Sequence, residues 1–512
     1  MVYLLNKIYL THINMKKYFL TSLLSLLVLT ASCSKEEVNN QIPEEVEEFI
    51  VTTNDEINYF IWKGLNLYYL WQADVPDLAD NRFNNFEDLY THFRQYDSPE
   101  ATFNSLLNQQ GVVDRFSWIV DDYIALENSF QGINLSSGME FGLVRYTNST
   151  TNIYGYVRYV IPNSSAANLG ITRGMYFNSV NGTQLTDSNF RGLLFSDATS
   201  LSVGFADYNG GNPETNNTTF SLIKTEIQEN PIAVSKVITD GTKKIGYLMY
   251  NQFASSYDQD LNAAFNTFKA EAVDDLVIDL RYNGGGSTNT AGFLGTMVTG
   301  QFSNEVYSKE VWNSKVTNAF SADNFINNFP TRITKTDNNN NVVVDEAINS
   351  LNLQRVYFIV SGSSASASEL VINALDAHID VKVVGSTTVG KQVGSITLYD
   401  SENLQRSGDN LNTKHTYAMQ PLVLEIKNKD DKNYPNGIIP GTNFTGINLE
   451  ENIGNLGILG ERTDPLLDRT LTYISTGSKT AAKKDNFVKV EEIYNSKLAT
   501  PAGNNMYSEL RN

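Results

Sequence analysis

The sequence predicts a multidomain α+β chain in three successive parts, and three observations predict it. Apolar and aromatic residues fall at helical spacings from about 56 to 124. After Gly132 the texture changes to short alternating strands broken by turn residues. From Lys244 onward, nearly continuous apolar strands alternate with helices, the pattern of an α/β core. These shifts set a helical part at 51–131, a β domain at 132–235, an α/β core at 236–480 and a C-terminal extension at 481–512. A chain of 512 residues has the length to bury several such cores.

In the helical part, Ile57, Phe60, Ile61, Leu65, Tyr68 and Tyr69 define one broad face. Phe86, Leu89, Tyr90 and Phe93 define a second, and Phe103, Leu106 and Leu107 a third. Ser98 before Pro99 supplies a capping hydroxyl and a first helical residue that needs no amide partner. In the β domain, 141–144, 154–161, 175–180 and 202–205 read as strands, with a short helix and glycine stop at 164–170 and a tight turn at Asn181-Gly182. In the core, strands are expected at 245–250, 276–280, 356–360 and 381–385, with helices at 261–269 and 367–377. A polar insertion at 318–349 reads as an exposed hairpin placed to cover or reshape a cleft. Asp337, Asn339 and Asn341 alternate like the start of a calcium loop, but no glycine follows and Ile348 replaces the closing glutamate, so a surface turn is expected.

The first 33 residues form a signal-peptide pattern: Lys16-Lys17, an apolar run over 18–29, then small residues before Cys33. That run is short for a transmembrane helix. Cys33 is the sole cysteine, so disulfides, thiolate catalysis and cysteine metal sites are excluded. The stretch 29–33 resembles a bacterial lipobox, which implies lipidation at Cys33 and an exported lipoprotein of a Gram-negative bacterium, on the outer membrane facing the periplasm or the cell surface. The acidic stretch 34–50 reads as a tether that buries too little to fold. The net charge of −19 excludes nucleic acid as a partner, because phosphate binding needs clustered cations.

Chemistry concentrates between 356 and 391. A strand runs into Ser361-Gly362-Ser363-Ser364-Ala365-Ser366-Ala367-Ser368-Glu369, where every residue before Glu369 is small. Ser366 and Glu369 have capping-box spacing, the plainest reading of both. A serine at a helix N-terminus also lies among free amide donors able to hold an oxyanion. Four histidines are available, at 12, 92, 378 and 415, and none sits in a motif. His378 lies over three helical turns beyond Ser366, about 18 Å along the axis. No HExxH occurs, and a phosphate-loop reading of Gly385 to Lys391 fails at Gln392. Lysine can serve as base when burial disfavours its ammonium form, and Lys391 follows an apolar strand and Gly390.

Two resemblances follow from these residues. The run 162–182 is similar to a PDZ domain, with Met175 in place of the usual Asp and Phe141-Gly142-Leu143 standing for its carboxylate-binding, peptide-binding loop. Ser364 to Glu369, Gly385, Thr388 to Lys391 and Asp279-Leu280-Arg281-Tyr282-Asn283-Gly284-Gly285-Gly286 resemble the signature of S41 C-terminal processing proteases, and the separation of Ser366 from Lys391 is 25 residues. The similarity extends over roughly 57–474, including Ile245-Gly246-Tyr247, the run 460–467 and Asp114 to Trp118. It implies an α/β protease core behind a PDZ-like domain, Ser366 as nucleophile, Lys391 as base, an oxyanion hole from the Gly285 and Ala367 amides, support from Glu369 and Ser395, no cofactor, and a peptide or protein substrate. Ser395 departs from the family, where Gln is common. The alternative is a non-catalytic surface lipoprotein that binds peptides through the PDZ-like module. A lipase or β-lactamase-like hydrolase is disfavoured because Ser366 lacks both G-x-S-x-G and S-x-x-K.

Overall fold

The computed structural model describes residues 49–337, 341–479, 490–500 and 503–508. The leader, Cys33, the tether through Glu48 and Asn339 lie outside the described residues. No helix among those described is long and apolar enough to cross a membrane.

The core sheet has six strands in the order Ile232–Asp240, Lys243–Tyr250, Asp275–Asp279, Arg355–Val360, Asp380–Gly385 and Gly446–Asn448. The first pair is antiparallel and the rest are parallel. Parallel strands covered on both faces have no polar side, which is why 276–280 and 356–360 read as continuous apolar runs. Helix Asp258–Ala270 connects the second strand to the third, and Ala367–Asp376 the fourth to the fifth. One sheet face packs Leu248, Ile278 and Phe358, while the other packs Tyr247, Val277 and Ile359 against Leu467 and Leu471 of helix Pro465–Thr476.

The N-terminal helices Thr53–Tyr68, Phe86–Phe93 and Pro99–Ser105 form and bury Phe60, Leu65, Leu89, Phe93 and Phe103, whereas Phe86, expected on the second face, is exposed. Ser98 Oγ accepts from the Ala101 amide at 3.2 Å, as its capping position predicts. Phe60, Leu65 and Tyr68 share one continuous apolar core with Phe253, Leu276 and Phe358 of the α/β core. Strand Trp118–Val120 also pairs with Ala418–Gln420. The helices therefore brace the core directly.

The β domain forms a sheet from Met139–Arg145, Ile153–Val160, Tyr176–Val180, Ser200–Asp207 and Glu214–Ile223, over a core of its own that includes Leu143, Phe177 and Val203. Asn181 and Gly182 both have positive φ, as the tight turn requires. Phe141, Gly142 and Leu143 are strand residues rather than a loop, because each pairs along Ile153–Val160.

Within the insertion, Arg332–Thr336 and Val342–Ala347 form the expected hairpin. It docks on helix Asp258–Ala270: that helix's Asn262 donates to Glu346 at 2.6 Å and its Asp258 pairs with Lys335 at 3.2 Å. The Asp337 amide donates to the Asn341 carbonyl at 2.9 Å, and residues 338–340 lie outside the described residues.

Candidate active site

Ser366 stands at the junction of strand Arg355–Val360 and helix Ala367–Asp376 with φ +67° and ψ −118°. A non-glycine residue there is strained, and such strain persists only where the surroundings over-determine it. Those surroundings are hydrogen bonds between two turns. Ser364 Oγ donates to the Leu280 carbonyl at 2.8 Å, the Ala365 amide to the Asn283 carbonyl at 3.1 Å, and Ser368 Oγ to the same carbonyl at 3.0 Å. The serines around Ser366 thus staple its turn to the turn that carries Gly285.

Glu369 is buried and stands in the expected capping-box arrangement with Ser366. Its Oε2 accepts from the Ser366 amide at 2.9 Å, but Ser366 Oγ is buried without a hydrogen-bond partner among the described residues. The same Oε2 accepts from the Lys391 amide at 2.8 Å, while Oε1 accepts from the Gly390 amide at 2.7 Å and from Thr388 Oγ1. One carboxylate therefore fixes the backbones of Ser366 and Lys391 together. Burial pushes the Glu369 carboxyl above its ordinary range, against the pull of these four donors. Glu369→Gln turns an amide NH₂ towards one pair of donors, so it is expected to cost about 2–3 kcal/mol of stability in urea unfolding.

Lys391 is 1% exposed. Burial pushes its amine down to about 7, against the opposing charges of Asp114 and Glu369. Its Nζ lies 4.9 Å from the centre of the Phe116 ring and donates to the Asn504 carbonyl at 2.7 Å. Arg115 reaches the Gly390 carbonyl at 3.1 Å, and Tyr69 donates to Asp114 at 2.7 Å. Ser366 and Lys391 line one small cavity with Leu370, Asn373, Tyr434 and Met506.

Gly285 has φ +116°, and a Cβ there would lie 2.6 Å from Ser366 Cβ, so only glycine brings this backbone against Ser366. Its amide donates to Asn283 Oδ1 at 2.8 Å. Ala367 is the first helical residue after Ser366. Ser395 Oγ lies 2.5 Å from Gln420 Oε1 and 3.0 Å from Asn505 Oδ1. Gln420 Oε1 also accepts from Asn505 Nδ2 at 3.2 Å. Asn283, Gln420 and Asn505 were not singled out from the sequence. Only Asn283 carried a signal, as a member of the run 279–286.

The histidines stand elsewhere. His378 Nε2 lies 3.0 Å from the Val306 carbonyl between Phe302 and Phe329, and His415 Nε2 lies 3.0 Å from Asp400.

A profile of Peptidase family S41 matches residues 244–405, and one of the Peptidase S41 N-terminal domain matches 56–118. No curated protein matches the chain. Among solved structures, a protein described as an S41 protease from Bacteroides fragilis NCTC 9343 is similar at 20% identity, over 84% of this chain and 99% of that one, with a TM-score of 0.59. A photosystem II D1 C-terminal processing protease aligns at 17% identity, over 82% and 98%, but its TM-score of 0.45 is too low to carry an argument. The family matches classify residues 244–405 as an S41-type serine peptidase domain and 56–118 as its N-terminal domain, and the shared fold has the same helical, PDZ-like and protease-core regions.

Proposed function

We propose that Ser366 and Lys391 form a Ser–Lys dyad that hydrolyses peptide bonds through an acyl-enzyme. The observation that carries this is a fully buried amine, pushed down to about 7, sharing a cavity with an unbonded serine hydroxyl. Neutral Lys391 takes the Ser366 proton as Oγ attacks the scissile carbonyl. The developing oxyanion is held by the Ala367 amide and by the Gly285 amide once it turns from Asn283. The tetrahedral intermediate collapses as Lys391 returns the proton to the leaving amine. Water, deprotonated by the same lysine, then attacks the acyl carbon and releases Ser366. Glu369 acts by positioning both residues, and Ser395 with Gln420 borders the lysine. The strand edge of Phe141, Gly142 and Leu143 receives an extended substrate segment by strand addition.

The pH dependence follows from the sign of the lysine shift. Protonated Lys391 has no lone pair, so kcat/KM for a neutral peptide rises with pH, is half-maximal near 7, and falls about tenfold per pH unit below it. A flat profile from pH 5 to 8 refutes the assignment.

We further propose that a lipid on Cys33 holds the exported protein at the outer membrane, on the periplasmic or outer face; the sequence pattern alone supports this. Cells fed labelled palmitate are expected to label the wild-type protein, and Cys33→Ser is expected to lose the label and move to the soluble fraction. Undiminished labelling of Cys33→Ser contradicts it.

A further inference from the structure

The cleft is occupied by the chain's own C-terminus. Strand Glu492–Asn495 pairs antiparallel with Met139–Arg145, setting Asn495 opposite Gly142 and Tyr494 opposite Leu143. Ser496 Oγ accepts from the Phe141 amide at 2.9 Å. The Tyr494 ring packs 5.1 Å from Phe190 and 5.5 Å from Phe195, with the Arg191 guanidinium 4.5 Å from its centre. Glu492 accepts from buried Arg158 at 2.6 Å, and Lys497 pairs with Glu229 at 2.9 Å. These contacts span the edge on which a substrate strand is expected.

The segment then reaches the nucleophile. A Cβ at Gly285 would lie 2.5 Å from the Asn505 carbonyl oxygen and 2.9 Å from Ser366 Oγ, so tail and nucleophile crowd the same glycine. Met506–Tyr507 fills the slot between Gly286–Ser287 and Val393–Ser395, pairing with both. The Ser508 amide donates to the Ser395 carbonyl at 3.0 Å, and Tyr507 stacks on Phe130 at 4.2 Å. Met506 is 1% exposed. Lys391 Nζ is bonded to the Asn504 carbonyl at 2.7 Å, with Asn505 Oδ1 at 3.4 Å, and makes no bond to Ser366 Oγ among the described residues.

We infer that residues 490–500 and 503–508 are an intramolecular pseudosubstrate, which holds the PDZ-like strand edge and the Ser366–Lys391 cleft together and excludes protein substrates until it is displaced. This rests on the dyad reading above. A tethered segment acts at an effective concentration of about 1 mM. A free peptide of equal intrinsic affinity at about 10 μM is then outcompeted about a hundredfold. A displacing partner must therefore be an extended chain that competes for the same two strand edges.

The test uses full-length protein and a labelled synthetic peptide with the sequence of residues 490–508. In a Ser366→Ala chain, Tyr494→Ala with Asn505→Ala is expected to bind this peptide at least tenfold more tightly than the chain with the native tail. The same tail substitutions with Ser366 present are expected to raise turnover of an unstructured protein at least tenfold. A second variant, Tyr494→Ala alone, is expected to show an intermediate gain, and circular dichroism establishes that each chain is folded. Equal peptide affinity with native and altered tails overturns the inference. So does an intact mass showing cleavage within 503–508 in wild type but not in Ser366→Ala, because the tail is then a substrate. Tighter peptide binding without any turnover leaves the occupancy standing and sinks the dyad reading.

Discussion

Ser366→Ala and Lys391→Ala are each expected to lower kcat by on the order of 10⁴-fold or more, and the double variant to be no slower than either single one. The non-additivity is the informative part. A nucleophile and its base act in one proton transfer, so removing either removes the whole step. Lys391→Arg is expected to be equally inactive, because a guanidinium stays protonated and offers no lone pair. Lys391→Met should unfold no more easily than wild type, since burial already opposes charge at this position. Turnover with a quenched peptide, alongside urea unfolding of the same preparations, separates loss of chemistry from loss of fold. A lysine that merely braces the cleft predicts the reverse pattern, modest loss of rate and clear loss of stability.

The second large effect is on stability. Arg281 is fully buried and pairs with Asp279 at 2.6 Å, Glu451 at 2.9 Å and Asp464 at 2.8 Å. Tyr247 adds a bond to Asp279 at 2.8 Å. This cluster anchors the turn that carries Asn283 and Gly285, and Ser361 reaches the Arg281 carbonyl from the nucleophile turn. Arg281→Met leaves buried carboxylates unpaired and is expected to cost about 3–5 kcal/mol. The neighbouring Arg281 and Arg173 guanidinium groups, with Tyr282, overcome burial and hold Glu451 down to about 2. Its stabilisation is therefore full above its unfolded value and is lost only as pH falls through about 2. Without Arg281 that depression shrinks, so the deficit against wild type narrows as pH drops through about 4, where the orphaned carboxylates protonate. A deficit independent of pH contradicts this account. Asp464→Asn in the Arg281→Met chain should recover part of the loss, because it removes one uncompensated charge.

What the sequence made legible tracks how local the signal was. Strands 276–280 and 356–360 were readable because parallel, doubly covered strands are apolar on both faces. Helix Pro99–Ser105 was readable from its cap. Ser366, Glu369 and Lys391 stood out through a run of small residues and a fixed separation. Phe141 to Leu143 were readable as a strand, and the residues likened to a carboxylate-binding loop lie within it. The capping-box spacing of Ser366 and Glu369 was legible, but the buried, unbonded state of Ser366 Oγ was not. Gln420 and Asn505 reach the site from distant segments, and no spacing within either segment marks them. The closing role of the tail was equally hidden, although Val490, Ile493 and Tyr494 carry strand propensity. The core shared by the N-terminal helices and the protease part was invisible for the same reason: amphipathic faces announce burial without naming the partner.

The central claim is that Lys391 activates Ser366. The most direct measurement is the rate at which a fluorophosphonate acylates serine in the full-length protein, mapped by mass spectrometry across pH 5 to 9. The account predicts modification at Ser366 alone, with a rate rising through about pH 7, and none in Lys391→Ala. Modification of a different serine, or an unchanged rate at Ser366 without Lys391, contradicts it.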